Sequence, residues 1–173
     1  SKSDTEVLLT ALEHWGCAIA LEKFVGMFAF ALWDQKEKKL VLARDRFGEK
    51  PLYYGWQGKS FLFGSTVQSL KKHPDWRGEI NRESVFLLSN YNYIPAPNSI
   101  YCGIKKLSPG TWLELVFRNG VWEEKSYVYW STIKAAQDAS LNPFKGSYED
   151  ASIFLEKLLK DIVKGQMFAD VPL

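Results

Sequence analysis

Residues 26–56, GMFAFALWDQKEKKLVLARDRFGEKPLYYGW, predict three successive β-strands. The first strand, residues 27–33, is apolar at nearly every position, so we expect both of its faces to be covered. A charged turn separates it from a second strand over residues 40–44, and a polar segment with a bend at Gly48 precedes a third strand over residues 52–56. A central strand covered on both faces needs a layer on each side, which predicts a layered domain larger than this stretch.

The segments on either side of this stretch predict further helices and strands. Upstream, Ser3 and Glu6 have the spacing of a capping box, and the helix that they begin is expected to end at Gly16. The other expected elements, in chain order, are a short helix over residues 18–24, a strand over residues 61–63, a short helix over residues 66–72, a helix over residues 82–89 capped by Asn81, an extended segment over residues 100–107, and a hairpin turning at Asn119-Gly120.

The last part of the chain predicts the beginning of a second domain. Residues 131–146 are polar and are interpreted as a linker. Ser147 is the expected N-cap of a long amphipathic helix, and residues 170–173 resemble the start of a strand. The predicted organisation is a first domain over residues 1–130, a linker over residues 131–146 and the start of a second domain over residues 147–173. Because both chain ends interrupt predicted structure, we interpret the chain as an internal part of a longer protein.

Composition excludes several classes of protein. The chain has 173 residues, of which 46% are hydrophobic and 24% charged, as in a folded globular protein and unlike a disordered one. A net charge of +2 without a basic stripe argues against nucleic-acid binding. No apolar run is long enough to cross a bilayer, and the first residues do not form a signal peptide. Two cysteines make no disulfide framework, so the cytoplasm is the expected compartment.

The residues taken singly do not form a complete catalytic constellation. No pair of closely spaced cysteines suggests a zinc site, and no glycine-rich phosphate loop is present. His14 lies three residues before Cys17, but the expected helix end at Gly16 separates them. Cys17 is therefore interpreted as a buried small residue. Cys102 lies in a strand region with no histidine nearby in the sequence.

Charged and aromatic residues leave alternatives open. Asp4, in the first turn of the first helix, can complement the helix dipole or bind the ammonium group of a ligand. Arg44, Asp45 and Arg46 can contact an anionic substrate or form an internal ion pair that holds the loop, and we prefer the ion pair. Three tyrosines can stack on a ligand or cover an edge of the core, and these are Tyr91, Tyr93 and Tyr101.

Five segments, in this order and spacing, resemble glutamine-hydrolysing asparagine synthetases, especially bacterial members associated with surface-polysaccharide gene clusters. They are SDTEVLLTALEHWG (3–16), GMFAFALWD (26–34), LARDRFGEKPLYYGW (42–56), NYIPAPNSIYCGIKKLSPG (92–110) and FADVPL (168–173). The resemblance covers nearly the whole chain. It implies an α+β fold, namely the C-terminal part of a four-layer αββα sandwich of the N-terminal-nucleophile hydrolase type with two antiparallel sheets. The first helix of an α/β domain similar to ATP pyrophosphatases would follow.

The resemblance also implies the activity of the longer protein. In this family an N-terminal cysteine hydrolyses glutamine, the ammonia passes through an internal tunnel, and ATP with Mg²⁺ activates aspartate, which becomes asparagine. Glutamine, aspartate and ATP are therefore the expected partners, with neither nucleic acid nor membrane, and a homodimer is compatible with the family. Two alternatives stand beside this. The acceptor can be another carboxylate, in polysaccharide biosynthesis, or the isolated chain can act as a non-catalytic binding module.

Little of this machinery is expected within the chain. Asp4 matches the aspartate that binds the α-amino group of glutamine, a role that can coexist with its place at a helix start. The nucleophilic cysteine is expected before Ser1, together with the arginine and the Asn-Gly segment that hold the substrate carboxylate and the oxyanion. The ATP loop is expected after Leu173. We therefore expect the isolated chain to hydrolyse neither glutamine nor ATP.

Some residues depart from the family pattern. Cys17 and Cys102 do not match the nucleophile. Thr66 stands after Ser65 where the family usually has glutamate, and Gln68 stands where it often has lysine. If the usual glutamate supports the domain interface, the longer protein is atypical at that place.

Overall fold

The computed structural model describes residues 3–167, and the chain divides into two units, Ser1–Ser131 and Thr132–Leu173. The first unit contains, in chain order, α1 (Asp4–Lys23), β1 (Ala29–Asp34), β2 (Lys39–Arg44), β3 (Tyr53–Gln57), β4 (Ser60–Gly64), α2 (Val67–Leu70), α3 (Arg82–Tyr91), β5 (Ile104–Lys106), β6 (Thr111–Arg118) and β7 (Val121–Val128). The second unit contains α4 (Thr132–Leu141) and α5 (Tyr148–Gln166). Each unit is described by itself below.

The strands of the first unit form two antiparallel sheets. Sheet A has the order β1-β2-β6-β7, and sheet B has the order β4-β3-β5. Every ladder between these strands is antiparallel, so the expected α+β fold with two antiparallel sheets is confirmed. The predicted hairpin between β6 and β7 is also confirmed, with φ angles of 50° at Asn119 and 83° at Gly120.

The middle of sheet A is covered on both faces. Successive residues of β2 point to opposite faces, so Leu42 packs with Tyr54 of sheet B while Val41 packs with Leu21 of α1. Leu70 of α2 belongs to another cluster, on the face of sheet B that points away from sheet A. The layers of the first unit are therefore α1, sheet A, sheet B and α2.

Strand β2 is covered on both faces, whereas β1 is not, so the expectation that β1 would be covered on both faces was wrong. Four of the six residues of β2 are buried, whereas β1 has none in the buried class. Within residues 3–167, β1 pairs with β2 alone and forms an edge of sheet A. On the face of β1 directed toward sheet B, Trp33 is 51% exposed. An apolar run reports a tendency to be buried, but it does not report the position of a strand in its sheet.

The helix ends follow the predicted signals at three places and depart from them at one. Gly16, with φ of 73° and ψ of 166°, divides α1 into two helical segments, as expected. Asn81 caps α3, and Ser147 begins α5 with a complete capping box. Ser3 is the N-cap of α1, but its side chain makes no capping hydrogen bond, so the predicted capping box between Ser3 and Glu6 is wrong.

The segment predicted as a linker contains a helix. Residues 131–146 include α4, whose sequence TIKAAQDASL holds three alanines and further good helix formers. The prediction of a linker was based on polar composition. A helix without buried residues, such as α4, has the same polar composition, so composition could not distinguish the two. The strand expected from Asp170 lies outside the described residues. Among residues 3–167, no helix has the length and apolar content needed to span a membrane.

Candidate functional site

A cleft of about 440 Å³ lies between the beginning of α1 and strand β1, and we call it the α1–β1 cleft. Its walls are mostly apolar, with Asp4 and Lys50 as the charged residues among those that line it. The lining residues are Asp4, Thr5, Leu8, Leu9, Met27, Phe28, Ala29, Phe30, Ala31, Leu32, Lys50, Pro51 and Ser65. An apolar cleft with a few polar groups is a typical small-molecule site.

Asp4 lies on the wall of this cleft, in the first turn of α1 and exposed. The backbone of the N-cap residue Ser3 begins the helix, because its carbonyl accepts hydrogen bonds from Glu6 N and Val7 N at 3.0 and 3.2 Å. The carboxylate of Asp4 can therefore both complement the helix dipole and face a ligand in the cleft. The two sequence-based interpretations of Asp4 are physically compatible.

Asp45 organises the loop over residues 44–50, which leads into the cleft. The residue is only 1% exposed. Its Oδ1 accepts hydrogen bonds from the backbone N–H groups of Phe47 and Glu49, at 3.2 and 2.9 Å, and its Oδ2 accepts one from Lys50 N at 3.0 Å. One buried carboxylate thus closes the loop by pairing three backbone donors.

Arg44 holds the same loop from its other side. Its Nε donates to Lys50 O at 2.8 Å, its Nη1 to Leu107 O at 2.6 Å and its Nη2 to Gly48 O at 2.5 Å. Burial lowers the pKa of Arg44 from its usual value. The loop is held together as expected, but through hydrogen bonds to the backbone. The prediction of an ion pair among Arg44, Asp45 and Arg46 was therefore wrong, because Arg44 and Asp45 hold the loop through backbone groups. Since each guanidinium nitrogen already has an acceptor, these contacts favour a structural role over anion binding.

Both cysteines are free thiols, one within α1 and the other just before β5. Cys17 is half-buried between α1 and sheet A, and burial raises the pKa of its thiol to about 12, with a smaller contribution from Glu114. Cys102 precedes β5, and its carbonyl accepts a hydrogen bond from Gln57 Nε2 at 2.8 Å. The interpretation of Cys17 as a packing residue agrees with its apolar surroundings.

Cys17 should react slowly with thiol reagents in the folded protein. A pKa of about 12 leaves about one thiolate in ten thousand at pH 8, and the thiolate is the reactive form. We expect iodoacetamide to modify Cys17 at least about a hundredfold faster in urea than in buffer, because unfolding restores the usual pKa near 8.5. Peptide mass spectrometry over a time course measures both rates. Equal rates in the two conditions would contradict the burial of this thiol.

The three candidate tyrosines do not form one group. Tyr91 and Tyr93 are 59% and 60% exposed, with ring centroids 6.3 Å apart. Tyr101 instead packs edge-on against Trp76, at 5.0 Å between centroids, and Lys71 Nζ lies 4.7 Å from the centre of the Tyr101 ring. Tyr101 therefore covers an edge of the core, which was one of its two interpretations.

The two departures from the family pattern lie at a second cleft, of about 420 Å³. This cleft shares Pro51 and Ser65 with the α1–β1 cleft, and Thr66 and Gln68 line it. Thr66 is also the N-cap of α2, where its Oγ1 accepts a hydrogen bond from the backbone of Ser69 at 3.3 Å. A glutamate at position 66, the residue that the resemblance implies for other members, would bring a negative charge to this second cleft.

Comparison with known proteins identifies the family. The model of a family described as glutamine amidotransferase domain matches residues 1–130. The chain belongs to this family. The matched residues include both clefts and both sheets, so Asp4, Asp45 and Lys50 all lie within the glutamine amidotransferase domain.

Relatives of this glutamine amidotransferase domain support the resemblance drawn from sequence segments. Asparagine synthetase [glutamine-hydrolyzing] 3 of Bacillus subtilis is 32% identical over 98% of the chain and 26% of its own length. Putative asparagine synthetase [glutamine-hydrolyzing] 2 of Methanocaldococcus jannaschii is 34% identical over 98% of the chain and 32% of its own length. Amidase chry2 of Gibberella zeae is 28% identical over 98% of the chain and 24% of its own length. The chain thus spans between a quarter and a third of the length of the two asparagine synthetase relatives.

The cofactors expected from the resemblance, ATP and Mg²⁺, would bind to residues outside the described part of the chain. Within residues 3–167, no three His, Cys, Asp or Glu side chains gather closely enough to hold a metal ion. Binding of ATP and Mg²⁺ was expected after Leu173, and that expectation stays a prediction.

Two polar residues of the α1–β1 cleft, Lys50 and Ser65, were not singled out as site residues from the sequence. The only signal for Lys50 was its place in the segment LARDRFGEKPLYYGW.

Proposed function

We propose that this chain forms part of the glutamine-hydrolysing portion of an asparagine synthetase, and that Asp4 binds the α-amino group of glutamine in the α1–β1 cleft. The observation that carries the proposal is the position of Asp4 on the wall of this cleft, within a chain that belongs to the glutamine amidotransferase family. A carboxylate pairs with an ammonium group through charge-assisted hydrogen bonds. The apolar walls suit the methylene groups of the glutamine side chain.

The remaining chemistry would come from segments outside the described residues. The nucleophilic cysteine would precede Ser1, and the pKa of Cys17 near 12 argues against that residue as a substitute. Residues after Leu173 would hold ATP with Mg²⁺, which would activate the carboxylate of aspartate for amidation. The longer protein would act in the cytoplasm on glutamine, aspartate and ATP, as a monomer or a homodimer.

The same proposal extends to the fold. The layer order α1, sheet A, sheet B, α2 supports a four-layer αββα sandwich of the N-terminal-nucleophile hydrolase type. Helix α5 would begin the α/β synthetase domain, and its exposed apolar stripe supports this because such a stripe needs a packing partner. Members of the stripe are 45–53% exposed, and they are Leu155, Leu158, Leu159, Ile162 and Val163.

Replacing Asp4 by asparagine tests the proposal. In the full-length protein, Asp4→Asn should lower kcat/KM for glutamine by about tenfold to a hundredfold, the range expected when a charge-assisted hydrogen bond is lost. Asparagine formation from added ammonium chloride should be unchanged, since that reaction does not use the glutamine cleft. Steady-state assays with either nitrogen source measure both quantities.

Glu6→Gln is the matched control for this substitution. It removes the same charge from the same first turn of α1, but Glu6 does not line the cleft. We therefore expect no loss of glutamine use in this variant. If Asp4→Asn lowers the rates with glutamine and with ammonia equally, Asp4 has a purely structural role and the proposal fails.

A second candidate concerns the acceptor of the ammonia. The match to Amidase chry2 covers as much of the chain as the matches to the two asparagine synthetases, so relatives named for different activities share this region. A carboxylate other than aspartate, such as one used in polysaccharide biosynthesis, is therefore the alternative acceptor. ATP-dependent amide formation assayed with aspartate and with sugar-linked carboxylates, using ammonia as the nitrogen source, distinguishes the two.

A further inference from the structure

The α1–β1 cleft carries one negative and one positive charge. Asp4 lies at the beginning of α1, and Lys50 lies at the end of the loop over residues 44–50. The other residues that line the cleft are apolar or uncharged polar. Free glutamine is a zwitterion, with an ammonium group and a carboxylate on the same carbon. The cleft therefore offers a charge of the opposite sign for each of these two groups.

The backbone of Lys50 is held on both sides. Its N–H donates to Asp45 Oδ2 at 3.0 Å, and its carbonyl accepts from Arg44 Nε at 2.8 Å. Asp45 is in turn fixed by its own backbone, because its N–H donates to Phe28 O at 2.9 Å and its carbonyl accepts from Gly110 N at 2.9 Å. Phe28 itself lines the cleft. The loop thus presents Lys50 to the cleft from a preorganised backbone, which lowers the entropy lost when a ligand binds.

We propose that Lys50 is a second substrate-contacting residue, whose ammonium group binds the α-carboxylate of glutamine, and that Asp45 is a positioning residue for Lys50. This inference rests on the proposed function of the cleft. The family resemblance places an arginine at the substrate carboxylate, in a segment before Ser1. Lys50 is then an additional cation, so its loss weakens binding without abolishing it. A lysine acts there as a flexible point charge, which needs a fixed backbone to be placed well.

The test compares two nitrogen donors in the full-length protein. L-glutamine carries the α-carboxylate, and the α-amide of L-glutamine lacks that negative charge. Lys50→Met keeps most of the side-chain length and removes the charge. We expect it to raise KM for glutamine by about fivefold, with little change in kcat, the upper end for one ion pair at an exposed lysine. KM for the α-amide should stay within about twofold of the parent value, since no ion pair is lost.

Lys50→Arg and Asp45→Asn refine the test. Lys50→Arg keeps the charge and should retain at least half of the affinity for glutamine. Asp45→Asn should raise KM for glutamine more than KM for the α-amide. This is measured at a temperature where circular dichroism shows the variant to be folded. An equal rise for both donors in Lys50→Met would overturn the inference, because it would assign Lys50 to the shape of the cleft. An unchanged KM for glutamine would overturn it as well.

Failure of this inference can be distinguished from failure of the proposed function. The proposed role of Asp4 is tested with 4-carbamoylbutanoate, the donor that lacks only the α-amino group. Asp4→Asn should weaken the use of glutamine and leave the use of 4-carbamoylbutanoate unchanged. If Asp4→Asn weakens the use of glutamine but not of 4-carbamoylbutanoate, and Lys50→Met affects glutamine and its α-amide equally, the role proposed for Lys50 is rejected and that of Asp4 is kept. The reverse pattern would reject the role of Asp4 and keep that of Lys50.

Discussion

Replacing Gly55 by alanine should lower the free energy of unfolding of the first unit by about 4 kcal/mol, since strain at a special φ and displacement of packed backbone each cost about 1–3 kcal/mol. Gly55 lies in β3 with φ of 150°, where side chains are rarely tolerated. A Cβ added there would lie 1.9 Å from the carbonyl oxygen of Gly103. Because that oxygen belongs to the backbone next to β5, either β3 or the neighbouring strand must move.

Urea unfolding followed by tryptophan fluorescence measures this loss. All seven tryptophans of the chain precede residue 132, so the signal reports the first unit. Gly120→Ala is the matched control, because Gly120 has φ of 83° but nothing lies within 4 Å of an added Cβ. We expect the control to lose only about 1 kcal/mol, from backbone strain alone. A loss in Gly55→Ala no greater than in Gly120→Ala would contradict the close approach of β3 and Gly103.

Asp45→Ala should have the second largest effect, a loss of about 3 kcal/mol, because each buried amide left without an acceptor costs about 1–3 kcal/mol. The carboxylate of Asp45 accepts hydrogen bonds from three backbone N–H groups, and the residue is 1% exposed. The estimate lies well below the sum of three such costs because Glu49 and Lys50 are exposed, so water can reach their amides. Asp45→Asn should lose less, since one carbonyl oxygen can still accept.

The same urea experiment measures Asp45→Ala, and Asp34→Ala is its control. The Asp34 carboxylate also accepts backbone hydrogen bonds, from Lys36 N at 2.9 Å and Glu37 N at 3.0 Å. The turn that holds it is exposed, so water replaces the lost acceptor and the stability should change clearly less. Equal losses in the two variants would show that burial of the Asp45 carboxylate is not what makes it important for stability.

Signals that depend on a few consecutive residues predicted local structure well. The Asn119-Gly120 turn, the cap at Asn81 and the helix break at Gly16 all occur as expected. Each depends on the φ angle or the side-chain acceptor of one or two residues, so sequence neighbours are enough to predict it. Ser3 is the N-cap as predicted, but its capping box did not form, because a capping motif permits a side-chain hydrogen bond and does not enforce it.

Features that depend on distant residues could not be predicted in the same way. The run over residues 27–33 was assigned to a strand covered on both faces, whereas among residues 3–167 β1 forms an edge of sheet A and β2 is covered on both faces. Strand order depends on pairing with β6, which lies far along the chain. The same limit applies to Lys50, because its place in the cleft depends on the packing of α1 against sheet A.

The amino-acid sequence alone was enough to identify the family and the turns and caps along the chain, because motif order and local hydrogen bonding are properties of short segments. Residues 26–56 do contain three successive strands, as their pattern predicts. Only the tertiary structure decided which of them is buried, that Asp45 pairs with backbone amides, and that Asp4 and Lys50 meet in one cleft. The physical reason is that burial and charge pairing depend on strand order and helix packing, which bring together residues distant in sequence.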